Sequence, residues 1–140
     1  MDDSEYGVII RLLILTGQRR NEIAALRWPE IDFSRDVISL PGERTKNGKP
    51  HDIPMSSTVR SLLTARPKNG RDFVFGEGAG PFSGMSQRKA MLDAKIAASN
   101  NGYDMAPWVH HDLRRSVATG MAEIVSRQRP GFRRAESVIA

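Results

Sequence analysis

The hexapeptide His111-Asp112-Leu113-Arg114-Arg115-Ser116 carries the densest chemistry in this chain. On a helix, a His and an Arg three positions apart lie on one face, about one turn from each other. That spacing sets a titratable proton donor or acceptor, His111, beside a fixed cation, Arg114. Such a pair suits a phosphate that is both bound and chemically attacked. Read alone, it is more simply an exposed helix with an incidental His. Two other stretches shift the balance: Thr16-Gly17-Gln18-Arg19-Arg20-Asn21-Glu22 far upstream, and Arg44-Thr45-Lys46-Asn47-Gly48-Lys49-Pro50-His51-Asp52-Ile53-Pro54 between the two.

In that order the three stretches resemble the catalytic domain of tyrosine recombinases, the phage integrase family. Thr16 to Glu22, followed by Ala25-Leu26-Arg27-Trp28 and Ile31-Asp32, looks like the family's first arginine box. Thr45-Lys46-Asn47, running on to His51 and Ile53-Pro54, looks like its lysine hairpin in the style of prophage integrases. His111 to Arg115 looks like its second box. The resemblance covers roughly residues 7 to 125. Each motif alone is weak, and the three in order are specific.

The resemblance implies a reaction. In the family, a tyrosine hydroxyl attacks a DNA phosphodiester and forms a 3′-phosphotyrosine, and a 5′-hydroxyl then reverses the step. No cofactor and no metal is implied, because the bond energy is kept in the covalent intermediate. Two arginines would each offer a fixed fork of N–H groups to the phosphorane-like oxyanion, and Arg19 and Arg114 fit that role. Lys46 is the candidate general acid for the departing 5′-oxygen. His111 would assist proton transfer or bond the phosphate. Glu22 is expected mainly to support Arg19. The implied partner is double-stranded DNA, with a homo-oligomer on DNA as an open option and no small-molecule cofactor.

The nucleophile is the gap. Tyr6 and Tyr103 are the two tyrosines, and both precede His111. Each reads more simply as a packing residue. After the second box the family pattern calls for a further His or Trp and then a Tyr. Arg127 to Ala140 holds four arginines and none of these. The expectation is therefore a truncated or frameshifted recombinase: a partial catalytic domain over residues 1–125, then a divergent or disordered tail over 126–140, inactive alone. The alternative is a non-catalytic DNA-binding remnant or regulator. Type IB topoisomerases share a similar constellation and make a weaker third reading.

Composition sets the outer bounds. The chain has 140 residues, one domain's worth and enough for a real core. It has no Cys, which excludes disulfides and thiolate metal sites. The apolar run Val8 to Leu15 is broken by Arg11 and too short to span a membrane. The acidic start is no signal peptide, so a cytoplasmic protein is expected. A net charge of +5 suggests a polyanionic partner.

The elements that must hold these residues follow from periodicity. Val8, Ile9, Leu12, Leu13 and Leu15 make a helical stripe over Tyr6 to Thr16, which Gly17 can end. A second helix is expected over about Arg20 to Trp28, before Pro29. Arg19 then sits at a tight junction. Val37 to Leu40 reads as a strand. Arg44 to Lys46 and Lys49 to Ile53 read as two more, joined at Asn47-Gly48. Ser56 to Ala65 is a capped helix, Asp72 to Phe75 an apolar anchor, and Gly76 to Gly84 a flexible connection. Ser86 to Ser99 reads as a helix with Gln87, Arg88 and Lys89 towards phosphate. Trp108 leads, as a core residue, into the last helix, whose stripe continues through Val117, Ala118, Met121 and Ala122. The sum is an α+β fold, mainly helical, with helices around a small three-stranded antiparallel sheet.

Overall fold

The structure, a computed structural model, describes residues 4–99 and 106–128. Among the described residues, five α-helices surround one three-stranded antiparallel sheet. Helix α1 (Glu5–Thr16) starts at Ser4, whose hydroxyl accepts the N–H of Gly7. Its buried residues, Tyr6, Val8, Ile9, Leu12 and Leu13, recur at helical spacing and face the core. Ile14 and Leu15 fall on the opposite side and are exposed, so Leu15 does not belong to the stripe as expected. Gly17 closes the helix at φ 66°, with its N–H on the Leu13 carbonyl.

Helix α2 (Arg20–Ala24) is shorter than periodicity suggests. The backbone leaves the helix because it finds partners elsewhere. Val74 N–H donates to the Leu26 carbonyl and Trp28 N–H to the Asp72 carbonyl, with Arg27 bridged to Phe73. The Asp72 to Phe75 anchor is thereby built into the core, with Phe75 fully buried. Burial of such a side chain is worth roughly 2–3 kcal/mol. A 3-10 turn at Trp28–Glu30 then leads to the sheet.

The sheet has the expected size but different membership. Its strands are β1 (Ile31–Asp32), β2 (Val37–Leu40) and β3 (His51–Pro54), paired in the order β1-β2-β3. Ile38 faces Ile31 on one side and Ile53 on the other, so one apolar column crosses all three strands. Gly42–Arg44 is a 3-10 turn, not a strand. The cause is Arg44, whose side chain turns inward: Nε donates to Glu30 Oε2 at 2.8 Å and an Nη to the Glu22 carbonyl at 3.0 Å. The backbone N–H groups of Arg44 and Thr45 bond the Pro41 and Gly42 carbonyls within the turn, so they do not join a ladder beside Lys49 to Ile53.

Helix α3 (Ser57–Thr64) is capped by the Ser56 hydroxyl, which accepts Val59 N–H, and buries Val59 and Leu63. The Gly76 to Gly84 stretch does not run free. The Arg71 guanidinium donates to the carbonyls of Gly76, Gly78 and Gly80. Helix α4 (Met85–Ser99) buries Met85, while Met91 is 52% exposed. Helix α5 (His110–Gln128) packs its first half across α1. Val117 is partly buried there and Ala118 is exposed, while the side chains of Met121 and Ala122, the rest of the expected stripe, lie outside the described part. The proposed boundary at 125/126 falls within α5, and residues 129–140 lie outside the described part, as does Tyr103. No described helix is long and apolar enough to cross a membrane.

Candidate functional site

Three elements deliver cations to one concavity. The α1–α2 junction is sharp because Gly17 takes a left-handed conformation that other residues rarely adopt. Arg19 follows in extended backbone as the N-cap of α2. Glu22, buried at 5% exposure, accepts the Arg19 backbone N–H and pairs with its guanidinium at 3.5 Å. The acid is thus a support beneath Arg19, which remains partly exposed.

Helix α5 carries His111 and Arg114. Its first turn is fixed by Asp112, whose carboxylate accepts the Val109 N–H at 2.9 Å. An acid in the first turn also suits the positive end of the helix dipole. Arg114 Nε donates to the Gly17 carbonyl at 3.0 Å, so the second arginine is tied to the junction that presents the first. Arg115 is exposed and pairs loosely with Asp112 at 3.5 Å.

Lys46 is exposed, on the ten-residue connection between β2 and β3. That connection is shaped by side chains rather than by a ladder. The Thr45 hydroxyl donates to the Lys49 carbonyl at 2.7 Å, and Asn47 Oδ1 accepts Lys49 N–H. Gly42 lies so close under the Gly48 carbonyl that a Cβ would fall 2.4 Å from its oxygen.

Arg19, Lys46, His111 and Arg114 all line one open pocket of about 830 Å³. Arg20, Arg44, Thr45, Lys89 and His110 also border it. The four residues singled out by type and spacing are therefore brought together from distant parts of the chain. A basic concavity with two guanidinium forks and the N-terminus of a long helix can hold an anionic oxygen cluster.

Sequence reasoning missed the wall behind His111. His110 is buried between two rings, edge-on to both Tyr6 and Trp108. The Tyr6 hydroxyl lies 2.9 Å from His110 Nε2. Trp108 is half-buried rather than core, because its indole N–H donates to Asp93 at 2.7 Å. Lys89 pairs with the same carboxylate and sits 4.4 Å over the Trp108 ring. Burial, then the nearby Arg20 and Lys89 cations, lowers the His110 pKa below its ordinary value. Burial, followed by the charge of Asp93, raises the Tyr6 pKa to about 12. The adjacency of two histidines was the available signal: neighbours on a helix point about a quarter-turn apart, so one can face inward while the other faces the pocket.

Comparison with known proteins bears on the family and the fold. The chain is 43% identical over 68 residues to the shufflon-specific DNA recombinase of Escherichia coli, covering 49% of this chain and 17% of that protein. It is 32% identical over 117 residues to the prophage integrase IntF of Escherichia coli K12, covering 79% of this chain and 23% of that protein. Against the tyrosine recombinase XerC of Xanthomonas campestris it is 32% identical over 120 residues, covering 82% and 35%. The chain thus spans about a third or less of the length of these relatives. The solved structure of the Tn1549 transposon integrase in complex with circular intermediate DNA shares the fold. It matches at a TM-score of 0.59 and 20% identity, over 89% of this chain and 46% of that one. The phage integrase family model matches residues 2–129, nearly the whole chain and all three motifs, and the protein accordingly belongs to the phage integrase family as part of a tyrosine recombinase catalytic domain.

Proposed function

We propose that this chain supplies the phosphate-binding part of a site-specific DNA recombinase, acting on double-stranded DNA. The observation that carries the reading is the meeting of Arg19, Lys46, His111 and Arg114 on one basic pocket. Arg19 and Arg114 bind the non-bridging oxygens of the scissile phosphate and stabilise charge that develops there. Lys46, on its exposed loop, protonates the departing 5′-oxygen. His111 bonds the phosphate or moves the proton of the attacking hydroxyl. The chemistry asks for neither cofactor nor metal, since a covalent phosphotyrosine stores the bond energy. The catalytic-domain portion runs through α5 to Gln128, past the boundary expected at residue 125. The setting is the cytoplasm, and assembly of several copies on DNA accompanies function.

A second reading is a module that holds DNA without cutting it. It is favoured by the Tyr6 hydroxyl, which is buried against His110 and cannot reach a phosphate. Arginines, a lysine and a histidine stabilise charge and move protons but cannot replace the attacking oxygen. A polypeptide of these 140 residues is therefore expected to bind duplex DNA without forming a covalent adduct. Incubation with nicked suicide duplexes, then denaturing gels, tests this. An adduct that disappears in Tyr103→Phe would overturn the second reading and make Tyr103 the nucleophile. Absence of any duplex binding at low salt would sink both.

A further inference from the structure

The geometry points to His110 as a positioning residue: Tyr6 clamps it from α1, and the clamp sets the direction in which the adjacent His111 and the helix behind it enter the pocket. This rests on the phosphate-binding role proposed for His111.

Four observations support the clamp. Tyr6 and His110 are 104 residues apart in sequence, yet their polar atoms meet at 2.9 Å in a buried place. The Tyr6 hydroxyl can donate or accept, and His110 Nε2 is the polar atom beside it. Tyr6 stays protonated because its pKa is raised, and His110 stays neutral because its own is lowered. Either tautomer of a neutral imidazole fits that distance, and the clamp takes the one in which the Tyr6 O–H donates to Nε2 and the ring proton sits on Nδ1. Finally, the imidazole is held edge-on by Tyr6 at 6.0 Å and by Trp108 at 5.7 Å between ring centroids.

The clamp acts where direction is decided. His110 is the first residue of α5, and His111 is the second. A shift of the first turn moves His111 directly, whereas Arg114 has a separate tether at Gly17. Groups facing His110 are Tyr6 from α1, Arg20 from α2, and Lys89 and Asp93 from α4. On its own helix the nearby charged or titratable groups are His111, Asp112 and Arg114. Both facing cations oppose a proton on His110, and Asp93 favours one. Protonation would remove the lone pair that Tyr6 needs.

The test uses the 15N-labelled 140-residue chain and long-range histidine spectra. Without DNA, His110 is expected as the Nδ1–H tautomer with a bare Nε2, and Tyr6→Phe should erase that preference. A His110 that carries its proton on Nε2 in the wild type overturns the proposal. A short duplex is then titrated while the His111 resonances are followed. In Tyr6→Phe and His110→Leu the duplex concentration for half-response should rise roughly three- to tenfold, the weight of one net hydrogen bond. His110→Gln, whose amide oxygen can accept from Tyr6, should restore the wild-type midpoint. A packing role alone would lower urea midpoints in all three variants without that rescue, and this overturns the proposal. If Tyr6→Phe does not fold, the comparison of His110→Leu with His110→Gln decides, and equal behaviour counts against the clamp. If wild-type His111 fails to respond to duplex, the functional reading of His111 falls, and the tautomer measurement still judges the clamp.

Discussion

Arg114 Nε donates to the carbonyl oxygen of Gly17 at 3.0 Å, joining two motifs 97 residues apart. The bond uses the guanidinium edge nearest the stem and leaves the two terminal nitrogens for a ligand. It also explains why the glycine matters beyond its turn. A Cβ at Gly17 would come within 2.9 Å of Val117 Cγ1, one turn along α5 from Arg114.

Gly17→Ala is therefore expected to cost stability twice, through left-handed backbone at φ 66° and through the clash with Val117. The backbone part alone is worth about 1–2 kcal/mol. Urea denaturation followed by circular dichroism measures it. A change below a few tenths of a kcal/mol would mean that α5 does not pack on the junction as described.

Duplex binding should be weak, indifferent to sequence and steeply dependent on salt, as expected of a chain with net charge +5. Arg19→Ala and Arg114→Ala should each reduce the slope of log affinity against log salt by about one, while affinity falls only modestly because many cations share the contact. Fluorescence anisotropy across a salt series reads both. Binding that does not change with salt would contradict the reading of the pocket.

Arg44 and Glu30 form a strongly sheltered ion pair near the site, at 2.8 Å with side chains 18% and 8% exposed. Removing one partner strands the other. Arg44→Ala should cost about 3 kcal/mol, whereas Arg44→Met with Glu30→Gln, whose amide oxygen still accepts the Arg27 N–H, should recover part of it. Thermal or urea melts of the single and double variants form the cycle that checks this.

The pH dependence follows from His110. Its folded pKa lies below the ordinary value of 6.5 that it keeps when unfolded. Between those two values the unfolded chain binds more protons than the folded one, so stability is full above about pH 6.5 and is lost as pH falls through that window. His110→Gln should flatten that part of the profile. Urea midpoints for the two proteins at closely spaced pH values provide the comparison. Identical slopes would show that His110 does not titrate with folding.

How much of this was legible in the sequence differs from element to element. The α1 stripe, the Gly17 stop and the Ser56 cap were readable because each is decided by residues within one or two turns. The four pocket residues were readable because their types and order follow a family pattern. The sheet's membership was not: Arg44 to Lys46 reads as a strand, and Ile31–Asp32 takes that place instead. Asn47-Gly48 advertises a tight hairpin, but Arg44 has a buried acid to meet 14 positions earlier, and that distant pair overrides the local turn signal. The early end of α2 has the same cause, since Leu26 and Trp28 find backbone partners at Val74 and Asp72. The inward turn of His110 likewise depends on Tyr6, at the far end of the chain.

The Arg71 guanidinium and the three glycine carbonyls around it set a length standard for the connection into α4. A loop gripped at Gly76, Gly78 and Gly80 by one planar group has little slack, even though its composition suggests plenty. Insertions there would pull carbonyls out of reach of a side chain of fixed span. The bend at residues 67–70, just before Arg71, is exposed throughout and held by less exacting contacts, such as Lys68 over the Trp28 ring at 5.2 Å. Evolutionary or engineered length change should therefore accumulate before Arg71 and not after it.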